Sequence, residues 1–161
     1  MKKNILLSLV LLISFCKSHC MHQMGVIEEI NTKLLTSAKK GDIKKVVYCL
    51  DLGADVNTGD KYGFRPLHLA ILYKCSDIVK LLLQRENIDI NITNVGGYTP
   101  LHFAAVYGSI DFIEVLLKSG ANVHLKDKWG KTPLNLAQLH QKPKHVVSIE
   151  KYIEEHEESP E

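Results

Sequence analysis

Apolar residues return along the chain in short clusters that fit one face of a helix. The clusters at residues 78–83 and 110–117 have the helical period, and Val146, Ile149 and Ile153 give an i, i+3, i+7 stripe. Polar stretches rich in Asp, Asn and Gly separate these clusters. The pattern predicts an all-α chain of short helices joined by tight turns.

One phrase recurs through the middle of the chain at a period of 33 to 34 residues. Its copies are residues 65–70, 99–104 and 132–137, and each has a proline in second place, followed by leucine. A glycine precedes each proline by three positions, and an Asp or Asn precedes that glycine by three more. The period therefore organises the chain into repeated structural units.

The phrase has a clear physical meaning. The Asp or Asn with its glycine forms a tight turn, because these side chains bond to nearby backbone and glycine accepts positive φ. Threonine before proline caps a first helix, and a second apolar cluster follows as a second helix. Gly53 and Gly120 end that second helix. One such unit cannot bury its apolar faces alone, so the units must stack.

The phrase Thr-Pro-Leu-His at residues 99–102, repeated at this period, resembles the signature of the ankyrin-repeat family. The resemblance implies an all-α solenoid of stacked turn–helix–helix units. We assign a linker at 21–26 and an acidic tail at 157–161, and four units: 27–59 (a cap), 60–93, 94–126 and 127–156 (irregular).

Several residues depart from the family pattern. Arg65 replaces the capping threonine, so the first helix of the second unit lacks that cap. Asn135 replaces the histidine in the fourth unit. Lys74 occupies the position of Gly41 and Gly108, and it is strained if the left-handed conformation is kept there. The glutamates from residue 154 onward disfavour a helix end, where we expect fraying.

The first twenty residues have the layout of a secretory signal peptide. A basic start at residues 1–4 precedes an apolar run at 5–15, which is too short to cross a bilayer of ~30 Å. Two cleavage points have small residues at the −3 and −1 positions: Cys16 and Ser18 for cleavage after Ser18, and Ser18 and Cys20 for cleavage after Cys20. We expect export of a bacterial Sec type, to the periplasm or out of the cell. A membrane anchor formed by the uncleaved segment is the alternative.

Charge excludes one class of partner. The 161 residues carry 20 Lys and Arg against 18 Asp and Glu, for a net charge of +2, and the excess is spread along the chain. Binding to nucleic acid needs a dense basic face. We therefore expect no nucleic-acid partner.

The side chains that could react have structural explanations. The family resemblance implies that His68 and His102 hydrogen-bond the backbone of adjacent turns. Cys49 and Cys75 fall at different heights on neighbouring helices, too far apart for a disulfide, so we expect two buried, reduced thiols.

No other motif indicates chemistry. His140 and His145 are five residues apart and do not share a helix face, so they form no metal pair. Gly96 and Gly97 belong to a repeat turn and not to a phosphate loop. We expect no catalytic residue, metal, cofactor or small-molecule substrate, and the sequence predicts a protein that is not an enzyme.

The resemblance implies that a protein partner lies on the concave face, formed by the turn tips and the exposed side of each first helix. Ten aromatic residues lie beyond residue 20, and six of them occupy these positions, where the fold requires none. Binding hot spots are enriched in such residues. We predict these partner-binding residues: Lys40, Tyr62, Phe64, Tyr73, Tyr98, Tyr107, Trp129 and Lys131.

Phe64 and Tyr98 have an alternative role, which is to cover the turns. The lysines around the aromatic positions predict a partner of acidic character; they are Lys39, Lys40, Lys61, Lys128 and Lys131.

The oligomeric state that we expect is a monomer. The alternative functions are a secreted effector or inhibitor of a host-associated bacterium, and an assembly module that self-associates through exposed repeat ends.

Overall fold

The computed structural model describes residues 24–156, and every regular element in that range is a helix. This confirms the all-α prediction. The helices are α1 (24–40), α2 (Ile43–Asp51), α3 (Pro66–Leu72), α4 (Ser76–Leu83), α5 (Pro100–Tyr107), α6 (Ile110–Lys118), α7 (Pro133–Leu139) and α8 (Pro143–His156). The predicted signal peptide and acidic tail lie outside the described residues.

The helices form two layers. The first helices of the units, α3, α5 and α7, pack side by side, and the second helices α2, α4, α6 and α8 do the same. A fully buried alanine stands between the layers in each unit: Ala38, Ala70, Ala104 and Ala137. Because alanine is small, the two layers approach closely, and the leucines and isoleucines around it complete one continuous core.

The starts of the first helices follow the capping prediction. The side-chain oxygens of Thr99 and Thr132 each accept a hydrogen bond from the backbone N–H three residues further along the chain. Arg65 provides no side-chain cap, as predicted, because a guanidinium has no acceptor atom. Its Nη1 instead donates to the carbonyl of Asn57 at 3.0 Å, which ties the helix start to the preceding loop.

The ends of the second helices confirm the role of the two glycines. Gly53 has φ 88° and Gly120 has φ 90°, conformations that favour glycine. After α2, the N–H of Gly53 donates to the carbonyl of Leu50 and that of Ala54 to Cys49, both at 3.0 Å. This pair of bonds satisfies the last carbonyls of the helix.

The connection between the two helices of a unit differs from copy to copy. Lys74 has φ 59°, so the left-handed conformation is kept there, and Gln141 has φ 54° at the same position of the fourth unit. Gly108 has φ −74°, because α5 continues to Tyr107. A Cβ at Gly108 would lie 2.7 Å from the Cα of Ala104, so glycine is needed there for close approach rather than for positive φ.

The two ends of the described chain depart from simple repetition. Helix α1 runs without a break across the predicted boundary between residues 26 and 27. At the other end α8 continues to His156, so the predicted fraying after residue 153 is wrong up to that residue. Buried Ile149 and the ion pair of Lys151 with Glu155 at 3.6 Å support this last part of the helix.

Candidate functional site

The turn tips before α3, α5 and α7 share one construction. Asp60, Asn94 and Asp127 each accept two backbone N–H bonds on Oδ1, from the residues two and four positions on, at 2.8–3.1 Å. Successive tips are also bonded to each other: the N–H of Val95 donates to Tyr62 O at 3.0 Å, and that of Lys128 donates to Gly96 O at 3.1 Å. The tips therefore form one hydrogen-bonded row.

His68 and His102 attach this row to the first helices. Each ring accepts on Nδ1 the N–H of the residue just before the helix-starting proline, Arg65 at 3.2 Å or Thr99 at 3.1 Å. Each Nε2 lies 3.0 Å from a carbonyl of the next tip, Tyr98 O or Lys131 O. Burial lowers the pKa of His68 to about 4 and also lowers that of His102, so both rings are neutral donors at pH 7. The predicted structural role of both histidines is confirmed.

Four of the predicted partner-binding aromatics are exposed. The exposed fractions are 57% for Tyr62, 46% for Tyr73, 52% for Tyr107 and 65% for Trp129. Lys40 and Lys131 are exposed as well. We call the surface formed by the tips and the outer side of the first helices the tip–helix face.

Phe64 and Tyr98 are half-buried and pack on the first helices. The ring of Phe64 lies 5.4 Å from that of Phe103, and the ring of Tyr98 lies 5.8 Å from that of His102. Burial raises the pKa of Tyr98. Both rings therefore cover the turns, which was the alternative role, and each also keeps one part at the surface.

Two lysines stand over exposed rings of the tip–helix face. The Nζ of Lys39 lies 5.4 Å from the ring centre of Tyr73, and that of Lys61 lies 4.9 Å from the ring centre of Tyr62. Such cation–π contacts hold ammonium groups beside apolar surface. The face consequently offers rings and positive charge together.

Two notches open on the tip–helix face. The α5–α7 notch encloses about 250 Å³ and the α1–α3 notch about 360 Å³. Phe64 contributes to both. The α5–α7 notch is also lined by Tyr98, Phe103, Val106, Tyr107, Leu136 and His140. The α1–α3 notch is also lined by Leu35, Lys39, Asp60, Tyr62, Leu72 and Tyr73.

Part of this lining was not predicted from the sequence. Phe103 and Leu136 stand three positions after the helix-starting proline, where the second unit has Leu69. These side chains are at most 9% exposed, yet they form the floors of the notches. The recurrence of a bulky side chain in this column was the signal that could have identified them.

The remaining candidate groups have other partners. The Nδ1 of His145 lies 2.9 Å from Ala105 O, which joins α8 to the end of α5. Cys49 and Cys75 are free thiols, as predicted, but Cys75 is half-buried rather than buried because it lies at the surface turn before α4. Between residues 24 and 156, no group of three or more His, Cys, Asp and Glu could hold a metal ion.

Stacked units of a tip and two helices, bonded tip to tip and presenting one face of rings, define the class of solenoid repeat proteins. The chain belongs to the ankyrin-repeat family. The family model for three ankyrin repeats matches residues 2–94, and the model for many copies matches residues 82–137. The first match includes the predicted signal peptide, whose cleavage stays a prediction. Ankyrin repeats are in general interaction modules without enzymatic activity, and they bind proteins.

The similar curated proteins are much longer than the matched part. The chain is 29% identical over 126 residues to the human transient receptor potential cation channel subfamily A member 1; the match takes in 78% of this chain and 11% of that protein. It is 40% identical over 57 residues to the putative ankyrin repeat protein YahD of Escherichia coli K12, with 35% and 28% covered. It is also 40% identical over 62 residues to the mouse 2-5A-dependent ribonuclease, with 38% and 8% covered.

In the part of the chain that the structure describes, no helix has both the length and the apolar character needed to span a membrane.

Proposed function

We propose that this protein is a non-enzymatic binding module and that its protein partner lies on the concave, tip–helix face. One observation carries the proposal: the rings of Tyr62, Tyr73, Tyr107 and Trp129 are about half exposed or more on this single face. Exposed apolar surface gathered on one face is typical of interaction sites, and tyrosine and tryptophan are among the residues that dominate binding energy at interfaces.

The partner has an acidic contact surface. Lys39 and Lys61 hold their ammonium groups over Tyr73 and Tyr62, and Lys40, Lys128 and Lys131 are exposed around the same face. A carboxylate of the partner beside one of these rings meets a positive charge at the edge of an apolar contact. Such complementarity speeds association and fixes the register of binding.

The buried histidines have a structural role, so they do not indicate catalysis. His68 and His102 use both ring nitrogens for backbone bonds within the stack, and neither is charged at neutral pH. A general base needs a free nitrogen within reach of a substrate proton. The rings therefore serve the scaffold, and the exposed side chains serve the function.

The module acts outside the cytoplasm of a bacterium in this proposal. The basic start and the apolar run at residues 5–15 support secretion, with cleavage after Ser18 or Cys20. Sequencing the N-terminus of the protein from its native source tests this: a start at His19 or Met21 is expected. A start at Met1 in a membrane fraction would instead support the uncleaved anchor. A mature form found outside the producing cell would favour the effector role.

The binding face is tested by replacing Tyr73, Tyr107 and Trp129 together with alanine. We expect the Kd of the triple variant for the protein that copurifies with the native chain to rise at least about a hundredfold. The reason is that hot-spot rings each contribute about 2 kcal/mol of binding free energy. The matched control replaces Tyr48, Leu52 and Val147, which are equally exposed but lie outside this face.

Circular dichroism checks that both variants keep their helices. Binding that survives the first triple replacement, or that is lost equally in the control, would contradict the assignment of the face.

A further inference from the structure

The two notches of the tip–helix face restrict what kind of partner can bind. Resting on the proposed function, we propose that the partner enters as an extended acidic segment with two bulky apolar side chains six residues apart. One side chain occupies the α5–α7 notch and the other occupies the α1–α3 notch. The segment belongs to another protein.

The α5–α7 notch has the chemistry of a pocket for one apolar side chain. The rings of Phe103 and Tyr107 and the aliphatic side chains of Val106 and Leu136 line it. Its volume of about 250 Å³ lies below the range of small-molecule sites. His102 also lines this notch, but its Nε2 is already bonded to Lys131 O and its Nδ1 to the N–H of Thr99, so the ring has no free nitrogen for a ligand.

The α1–α3 notch combines an apolar floor with positive charge. Leu35 and Leu72 line it beside Tyr62 and Tyr73, and Lys39 is part of the wall. The carboxylate in the lining, Asp60, accepts the N–H groups of two residues of its own tip on Oδ1. An apolar side chain flanked by carboxylates fits this notch, because the ammonium groups stand over its two tyrosine rings.

The groove between the two notches is filled. The rings of Phe64 and Phe103 meet edge to face at 5.4 Å above the α3–α5 contact, and the ring of Tyr107 lies 6.0 Å from that of Phe103. The two notches are therefore two helix spacings apart, and with 8–10 Å between neighbouring helices this is about 18 Å. An extended chain advances about 3.3 Å per residue and returns to the same side every second residue, which gives a separation of six residues.

The ends of this chain do not fit the notches. Residues 154–161 are acidic but contain no bulky apolar side chain. Residues 1–20 are apolar but carry three lysines and no acid, so their charge has the same sign as that of the notch lysines. Complementarity therefore favours a segment of a different protein over an intramolecular occupant.

The inference is tested by selecting binders from a phage-displayed library of random peptides of about twelve residues on the immobilised full chain. We expect the enriched peptides to share two of Leu, Ile, Phe and Trp six positions apart, with a net negative charge. A fluorescein-labelled synthetic copy then gives the Kd. Deleting one residue between the two apolar positions should weaken binding at least about tenfold, because one anchor then points away from the face.

Charge variants locate the two contacts. His140→Glu places a carboxylate at the rim of the α5–α7 notch, and Lys39→Glu with Lys61→Glu reverses the charge of the other notch. Each variant should weaken the acidic peptide about tenfold or more. Lys44→Glu with Lys80→Glu makes the same charge change on the second helices and should leave the Kd unchanged. A peptide in which lysines replace the acidic residues should bind the variant with Lys39→Glu and Lys61→Glu more tightly than it binds the native chain.

Other outcomes overturn the inference in distinguishable ways. Enriched peptides with another spacing, or with anchors eleven residues apart as on a helix, contradict the extended two-anchor segment. If these peptides still lose binding in the variant lacking the rings of Tyr73, Tyr107 and Trp129, the proposed binding face stands and only the inference fails. Peptides indifferent to that variant overturn both. A library that yields no binder overturns the peptide-segment inference alone.

Discussion

At the scale of the residue, single side chains join two units of the stack. His68 bonds the start of its own helix through Nδ1 and the next tip through Nε2. In the fourth unit Asn135 keeps only the first of these bonds, with its Oδ1 3.2 Å from the N–H of Thr132. The side chain at this position of the repeat therefore has two separate roles. Asparagine keeps the bond to the helix start, and histidine also makes the bond to the next unit.

The buried histidines predict how stability depends on pH. Because the folded-state pKa of His68 is about 4, below the unfolded value near 6.5, the unfolded chain binds the extra proton more readily. The stabilising contribution is complete above about pH 6.5 and is lost as the pH falls toward 4. We expect the native chain to lose about 2 kcal/mol of unfolding free energy from this residue between pH 7.5 and 4.5.

The variant His68→Asn isolates this contribution, because other groups titrate equally in both proteins. Urea unfolding at the two pH values should show a smaller loss in the variant than in the native chain. Equal losses would mean that His68 is not held neutral in the stack.

Residue roles were predictable where a position recurs. His68 and His102 share a slot in the repeated phrase, and their backbone bonds followed from the family resemblance. The floor role of Phe103 was not predicted, because a nearly buried ring in a first helix is read as core. Only the packing of neighbouring helices shows which core side chains end at a surface notch.

At the scale of the element, the tip is the unit that is fixed most strictly. Its Asx side chain, its glycine at positive φ and its bonds to the neighbouring tip recur in the second, third and fourth units. Helix α1, in the first unit, makes a loop contact that a later unit also makes. In that region Asn31 Oδ1 accepts the N–H of Asp55 at 2.9 Å, just as Asn91 Oδ1 accepts that of Asn122 in a later unit.

Two equivalent glycines test the stacking of tips. Gly97 and Gly130 have φ 78° and 72°, so alanine is strained at either position, by about 1 kcal/mol. A Cβ at Gly97 would also lie 2.9 Å from the backbone N of Lys128, whereas at Gly130 it would meet nothing within 4 Å.

We therefore expect Gly97→Ala to lower the free energy of unfolding by at least about 1 kcal/mol more than Gly130→Ala, because backbone must shift. Denaturant titration of the two variants measures the difference. Equal losses would show that the tips do not approach as closely as these distances indicate.

The elements were predictable wherever the phrase repeats, from the tip before α3 to α7. The extension of α1 and the last turn of α8 were not. The residues before 33 share no phrase with later units, and the role of Asn31 depends on a loop 24 positions away. The acidic end of α8 remains helical beside buried Ile149 and the Lys151–Glu155 ion pair, although the helix dipole disfavours glutamates there.

At the scale of the whole molecule, the stack has two ends and one face, the tip–helix face, on which we propose that a partner binds. Stability in such a solenoid is a sum over units and the contacts between neighbours. The last tip carries Trp129 and has no following tip among the described residues, so its far side is open.

We expect the chain to be monomeric in solution, although exposed apolar side chains occur at both ends of the stack. Leu139 of α7 and Val147 of α8 are the exposed large apolar residues after Trp129. Light scattering after size exclusion should give the mass of one chain. A dimer mass that reverts to one chain on replacing these two residues with serine would instead support self-association through the repeat end.

The scaffold of the molecule was readable from its period, but its partner was not. A repeat restricts the residues that build the stack, and it leaves free the positions of Tyr73, Tyr107 and Trp129. The side chains at those positions are aromatic and lysines lie around them, and our proposal of a protein partner with an acidic surface rests on these side chains. Its identity depends on a second surface that this sequence does not contain.

Amide hydrogen exchange of the chain with and without its native partner tests the central claim most directly. We expect slower exchange on binding in the tips at residues 60–64, 94–98 and 127–131 and in the first helices α3, α5 and α7. Helices α2, α4 and α6 should exchange as in the free chain. Protection confined to those second helices, or to one end of the stack, would contradict binding on the tip–helix face.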